Sequence, residues 1–181
     1  METNSDLKKE IDLLFEKYQL NNLFRKYGEL SVAGSYVYNL MAWRDFDVVL
    51  KTDNLTSEVV YSLISGIGKS INPDELKVLN NINRFDKNRP IGYWIGIYVE
   101  KWKIDLWVMD KENSEKEIEQ TQKLDKLLSN VDKDELIKLK IELSKNPDYH
   151  KKFSSVDLYN SYLDGVRSTE GFFKWLKKSV N

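Results

Sequence analysis

A chain of 181 residues is long enough for one sizeable core, or for a compact domain of about 110 residues with a helical appendage. Its composition, 41% apolar and 31% charged with 3 Pro and 8 Gly, is that of a folded protein and excludes a disordered or fibrous one. Lys plus Arg total 28 against 29 Asp plus Glu, so a net charge of -1 gives no global field for holding nucleic acid or an anionic membrane, and any such contact needs a local basic patch.

The residue types narrow the chemistry further. The chain has no cysteine, which removes disulfides, thiolate nucleophiles and zinc sites that need sulfur. Its one histidine, His150, stands between Tyr149 and two lysines, which argues against a His-rich metal site or a Ser-His-Asp triad. Carboxylates are what remain. The opening METNSDLKKEIDLL lacks the basic-then-apolar order of a secretory signal, and no apolar run approaches the roughly 18 residues of a membrane span, so no membrane association and a cytoplasmic location are expected.

In chain order, Leu7, Ile11, Leu14, Phe15 and Tyr18 form a helical stripe over residues 5–18, with Ser5 or Asp6 as the cap. A short amphipathic turn through Leu23 and Phe24 leads to a brief strand, LSVAGS, ending at Gly34, and YVYNLMAW then reads as a short helix. In RDFDVVLK, Phe46, Val48 and Leu50 alternate with Asp45, Asp47 and Val49, the period of a strand with unlike faces. Val59, Val60, Leu63, Ile64 and Ile67 mark a helix over 55–69, closed near Gly68. A strand is predicted over Leu76 to Phe85, followed by a polar DKNRP loop. Two alternating runs, 93–99 and 102–109, are separated by Glu100 and Lys101 and read as a hairpin. From Asp110 the period becomes helical. Ile118, Thr121, Leu124, Leu128 and Val131 form one stripe and Leu136, Leu139 and Leu143 another. Further helices are marked by Val156, Tyr159 and Leu163 and by Phe172, Phe173 and Leu176, the last behind a Ser-Thr-Glu cap. The boundary is placed near 110, between a mixed helix and strand core (1–110) and a helical C-terminal segment (111–181).

Asp45 and Asp47 leave the same face of their strand, about 6–7 Å apart along the backbone. Asp105 lies mid-strand in KIDLWVM, on the face opposite Ile104, Leu106 and Val108 and shared with Lys103 and Trp107. Three carboxylates converging from neighbouring strands are a hard oxygen set suited to one or two Mg²⁺ ions and a polyphosphate substrate. Gly34-Ser35, where a strand meets a helix, allows close backbone approach and a hydroxyl for a terminal phosphate.

Together, VAGSYVYNLMAWRDFDVVL and KIDLWVM resemble the nucleotidyltransferase superfamily of the DNA polymerase beta type. Its signature is an apolar strand, Gly-Ser, a short helix, Asp-x-Asp in a strand and a later third Asp. The Arg-Asp-x-Asp form resembles the small-molecule, antibiotic-like branch. The chain departs from the pattern in two places, with Asn39 where a second glycine is common and Arg44 where a serine often precedes the first Asp. The resemblance covers residues 25–110. It implies an α+β (α/β) minimal nucleotidyltransferase fold, a mixed, mostly antiparallel sheet packed against helices and followed by a helical segment on the acceptor side.

The resemblance also implies a metal-dependent transfer of a nucleoside monophosphate from an NTP to a hydroxyl, with release of pyrophosphate. Asp45, Asp47 and Asp105 would be metal ligands and catalytic residues, Asp105 also a proton acceptor. Gly34, Ser35, Arg44 and Lys103 would be substrate-binding, although Arg44 equally suits a structural partner of a nearby carboxylate. Mg²⁺, as one or two ions, would be the cofactor and an NTP the substrate. Lys51 and Lys69 are further phosphate candidates. Tyr36, Tyr38 and Trp43 are candidates for base contact, and Trp94, Trp102 and Trp107 for an acceptor pocket or for sealing the sheet. A small-molecule hydroxyl is the expected acceptor. RNA and protein acceptors, a homodimer, and a catalytically inactive binding or antitoxin-type protein of the same fold are left open.

Overall fold

The computed structural model of the protein describes residues 2–84, 86–87 and 89–179. Helix α1 (Asn4–Lys17) buries Leu7, Ile11, Leu14 and Phe15. Its cap is Thr3, not Ser5 or Asp6: the Asp6 amide donates to the Thr3 hydroxyl at 3.2 Å, and the Thr3 amide donates to the Asp6 carboxylate at 3.0 Å. That reciprocal box satisfies two end donors and starts the helix early. After α2 (Leu20–Arg25) come β1 (Glu29–Ala33) and α3 (Gly34–Val37). The helix expected over YVYNLMAW is only this one turn, because Asn39 takes a left-handed φ of 57° and ends it, its side-chain oxygen accepting from Lys8 Nζ at 2.8 Å.

Strand β2 (Asp45–Lys51) leads to α4 (Ser57–Ile71), which runs past Gly68 to a left-handed stop at Asn72, φ 49°. Strand β3 is Glu75–Asn80, shorter than the predicted run to Phe85, which lies outside the described residues, as does Asn88 of the DKNRP loop. The buried Asn81 side chain ends the strand by donating to the carbonyls of Asp86 (3.0 Å) and Pro90 (2.8 Å). Strands β4 (Tyr93–Val99) and β5 (Trp102–Met109) form the expected hairpin, with both turn residues at positive φ, Glu100 at 48° and Lys101 at 70°.

The five strands lie in the order β1-β2-β5-β4-β3. Three neighbour pairs are antiparallel and one, β2 with β5, is parallel, so the sheet is mixed and mostly antiparallel as expected. Helices α5 (Lys111–Leu128), α6 (Lys133–Ser144), α7 (Ser155–Leu163) and α8 (Thr169–Ser179) follow. A capping box of Ser154 with Asp157 sets the start of α7 so that Leu158, Tyr159 and Tyr162 face inward, while Val156, expected on the apolar stripe, is exposed.

The apolar side chains form two clusters. One joins α1, α2 and α4 to a sheet face through Phe46, Val48, Leu50, Ile95, Ile97, Ile104, Leu106 and Val108. The other gathers Leu128, Leu136, Leu139, Leu143, Phe153, Leu158 and Phe172, and receives Tyr38 and Leu40 from the segment between α3 and β2. Among the described residues, no helix is long and apolar enough to cross a membrane.

The hairpin turn gives a direct test. Left-handed backbone strains a residue with a Cβ and suits glycine. Lys101→Gly should therefore raise stability by about 0.5–1 kcal/mol, read as a higher urea midpoint at unchanged slope.

Candidate active site

The parallel pairing of β2 with β5 builds the site. It sets Asp45 opposite Lys103 and Asp47 opposite Asp105. Because alternate side chains leave opposite sheet faces, Phe46 and Val48 enter the core with Ile104 and Leu106, and the four charged residues emerge together on the other face. Strand β4 places Gly96 beside Asp105 and Trp94 beside Trp107. A Cβ on Gly96 would lie 2.6 Å from the Trp94 ring, so the glycine lets that indole lie flat across the strand. From there Trp94 Nε1 donates to Asp105 Oδ1 at 2.9 Å.

Gly34 closes the site from the β1 side. Its φ is +64°, and a Cβ there would fall 2.1 Å from Asp47 Oδ2. The glycine is needed to admit the Asp47 carboxylate before any substrate arrives. Ser35, next in the chain, also faces the cleft.

The cleft has a volume of about 460 Å³, and its far wall comes from the helical segment. Lys140 of α6 is 3% exposed and donates from Nζ to the Leu40 carbonyl at 3.0 Å. Its ammonium lies 4.6 Å from the centre of the Trp43 ring. Burial pushes Lys140 down to about 8, with Asp45 and Asp47 pulling the other way. The hydroxyl of Tyr159, on α7, is buried in the same wall and has no hydrogen-bond partner among the described residues. His150, at φ 61°, completes that side, and burial lowers its proton affinity.

Charge is unevenly matched on the sheet face. Lys103 Nζ is 2.6 Å from Asp105 Oδ2 and 3.3 Å from Asp45 Oδ1. Burial opposes its charge, but the two carboxylates outweigh that and hold the ammonium above its usual range. Asp47 is left to burial and to the repulsion of Asp45 and Asp105, which push it up to about 7. Burial and Asp45 raise Asp105 as well, against Lys103 and Trp94. Among the described residues, no three His, Asp or Glu side chains form a ready-made cation cage. The donor set itself fits a hard divalent cation: three carboxylates face one cleft, and their negative charge is only partly offset.

Six of the seven residues singled out as catalytic or substrate-binding line this one cleft: Gly34, Ser35, Asp45, Asp47, Lys103 and Asp105. Arg44 is not among them. Its guanidinium turns to α1 and the N-terminus, donating to Glu10 and Glu2 at 2.8 Å each, because the residue before Asp45 is directed to the opposite side. Tyr38, Trp43, Trp94 and Trp107 line the cleft, whereas the Tyr36 hydroxyl donates to Asp12 at 3.0 Å and the buried Trp102 to Glu10 at 3.0 Å. Lys51 pairs with Glu29 at the far end of β2, and Lys69 is on α4; neither lines the cleft.

Lys140, His150, Ser154 and Tyr159 were missed as site residues. For Lys140 a signal existed, since it falls at the 136, 139, 140, 143 positions of a buried helical stripe, where a lysine needs a reason. Nothing in the sequence around His150 marks it.

No protein-family model matches the sequence, and no curated protein is similar to it. Among solved structures, a cytoplasmic RNA terminal U-transferase matches with a TM-score of 0.53 and 15% identity, over 86% of this chain and 45% of that one. The chain thus spans a little under half the length of that structure. At this identity the likeness is one of architecture: the five-stranded mixed sheet and its helices form a nucleotidyltransferase-like fold.

Proposed function

We propose that the protein is a metal-dependent nucleotidyltransferase that moves a nucleoside monophosphate from an NTP to a hydroxyl and releases pyrophosphate. The observation that carries this reading is the convergence of Asp45, Asp47 and Asp105 on one face of the parallel strand pair, in a cleft whose opposite wall holds a buried lysine and a buried tyrosine hydroxyl. An acidic floor facing polar and cationic groups fits a substrate that brings phosphates together with cations.

Asp45, Asp47 and Asp105 would hold Mg²⁺, as one or two ions. Bound there, Mg²⁺ would lower the pKa of the acceptor hydroxyl and offset charge developing on the leaving pyrophosphate. Asp105, whose proton affinity burial raises, takes the hydroxyl proton as the acceptor oxygen bonds to the α-phosphorus and the bond to the β-phosphate bridge breaks. Ser35, Lys140 and the Tyr159 hydroxyl receive the triphosphate, and Gly34 keeps Asp47 in place beside it.

Trp94 and Trp107, beside Asp105, and Arg89, whose guanidinium lies 5.9 Å from the centre of the Trp94 ring, form the acceptor side. A small-molecule hydroxyl is the first reading of the acceptor, in keeping with the chain's net charge of -1. An RNA 3′ hydroxyl is the second, supported by the activity of the structural neighbour on RNA. That neighbour is a cytoplasmic enzyme, which supports the same location here. The presence of all three carboxylates favours an enzyme over an inactive binding protein.

Transfer of label from an α-³²P NTP to an aminoglycoside or lincosamide panel, and in parallel to short RNAs, tests the reading. Asp45→Asn, Asp47→Asn and Asp105→Asn should each lower turnover by about 100-fold or more while the circular dichroism spectrum stays unchanged. Failure of every acceptor, together with no melting shift from Mg²⁺ plus NTP, would sink it.

The Lys140 assignment predicts a pH limb. The ammonium is charged below about 8 and neutral above, so kcat/KM should fall as pH rises through that value. Lys140→Met should be about tenfold or more weaker at pH 7 and should lack the limb. A limb that survives in the variant belongs to another group.

A further inference from the structure

We infer that Lys103 is an internal counter-ion that occupies the space between Asp45 and Asp105 until a divalent cation displaces it, and is thereby a positioning residue for Asp105. The inference rests on the metal-dependent reading above and concerns which part of this chain the metal must compete with.

Three features place the lysine there. Strand register sets Lys103 directly abreast of Asp45, and the two-residue repeat puts it on the same face as Asp105. Its ammonium then reaches Asp105 at 2.6 Å and Asp45 at 3.3 Å, but not Asp47. The second Asp105 oxygen is engaged by the Trp94 indole, so both oxygens of that carboxylate already have protein donors and its orientation is fixed.

An ammonium and a divalent cation need the same oxygen lone pairs, and they satisfy them unequally. Lys103 offsets one of three converging negative charges and leaves Asp47 without a bonded cation, whereas a divalent cation can take oxygens from several carboxylates at once. The Lys103 side chain is 34% exposed, against 21% for Asp45 and 15% for Asp105, so the ammonium has an open path out along its flexible stem while the carboxylates stay in place. Stabilisation that Lys103 gives the metal-free site is then subtracted from metal affinity, since a ligand shifts a two-state equilibrium only by its differential affinity. Once displaced into the cleft, the ammonium is available to a nucleotide phosphate, so metal and NTP would load together.

The test uses the full chain, with Mn²⁺ alone as the probe. Lys103→Met should bind Mn²⁺ about tenfold or more tightly than the wild type, melt lower in EDTA, and gain more melting temperature on saturation. Lys103→Arg, which keeps the charge, should stay within about threefold of wild-type affinity. In the wild type, the Lys103 ammonium ¹⁵N resonance, identified by its loss in Lys103→Arg, should be protected from water exchange in EDTA and lose that protection with Mg²⁺. This readout stands even if Lys103→Met does not fold. Equal or weaker Mn²⁺ binding by a folded Lys103→Met, or protection that persists with Mg²⁺ bound, overturns the inference and leaves the metal site intact. Absence of Mn²⁺ binding in both wild type and Lys103→Met overturns the metal reading itself.

Discussion

The pairing of β2 with β5 is the contact on which the other features of the site depend. These are the only parallel neighbours among the described strands, and 50 residues of chain separate the two in sequence (51 to 102), with α4, β3 and β4 in between. Parallel strands need a crossover of that kind, and here α4 packs Val60, Leu63 and Ile67 against the sheet face opposite the aspartates. A slip of one residue would turn Ile104 and Leu106 toward the cleft and bury Asp105, so the hydrophobic pattern of the core fixes the register of the carboxylates.

That arrangement concentrates negative charge that folding alone does not favour. The structure answers with cations of two kinds. Lys103 lies within the carboxylate group and bonds it directly. Lys140 stands on the opposite wall, tied to a backbone carbonyl and facing Trp43, and acts on the aspartates only through space. Neither lysine bonds Asp47, which burial and the neighbouring carboxylates push up to about 7 and which lies against Gly34. The least compensated carboxylate therefore sits where the most closely packed backbone meets the cleft.

Much of this was legible in the sequence because it follows from short periods. The alternation in DFDVVL and KIDLWV determined both the strands and the face shared by Asp45, Asp47 and Asp105, and the change to a helical period after Asp110 marked α5 to α8. What was not legible depended on distance along the chain. Arg44 reads as part of the acidic motif, yet its partners, Glu10 on α1 and Glu2 just before it, lie more than 30 residues earlier. Trp94 and Gly96 look like ordinary strand residues until register places an indole over the glycine and against Asp105. The early end of β3 follows from side-chain bonds of Asn81 across its own loop, and no propensity encodes those.

The segment between α3 and β2 has a bearing on how such a chain could be cut or recombined. Lys133 and Lys140, two turns apart on α6, donate to the carbonyls of Tyr38 (2.9 Å) and Leu40 (3.0 Å), whose side chains lie in the helical cluster. The loop that follows Gly34-Ser35 is thus riveted to α6 as well as to the core under the sheet, where Met41 is buried. A chain divided at residue 110 would strip the cover from two large apolar side chains and unpin the backbone that leads into Asp45. Exchange of the helical segment for another would have to preserve this rivet or rebuild the far wall of the cleft with it.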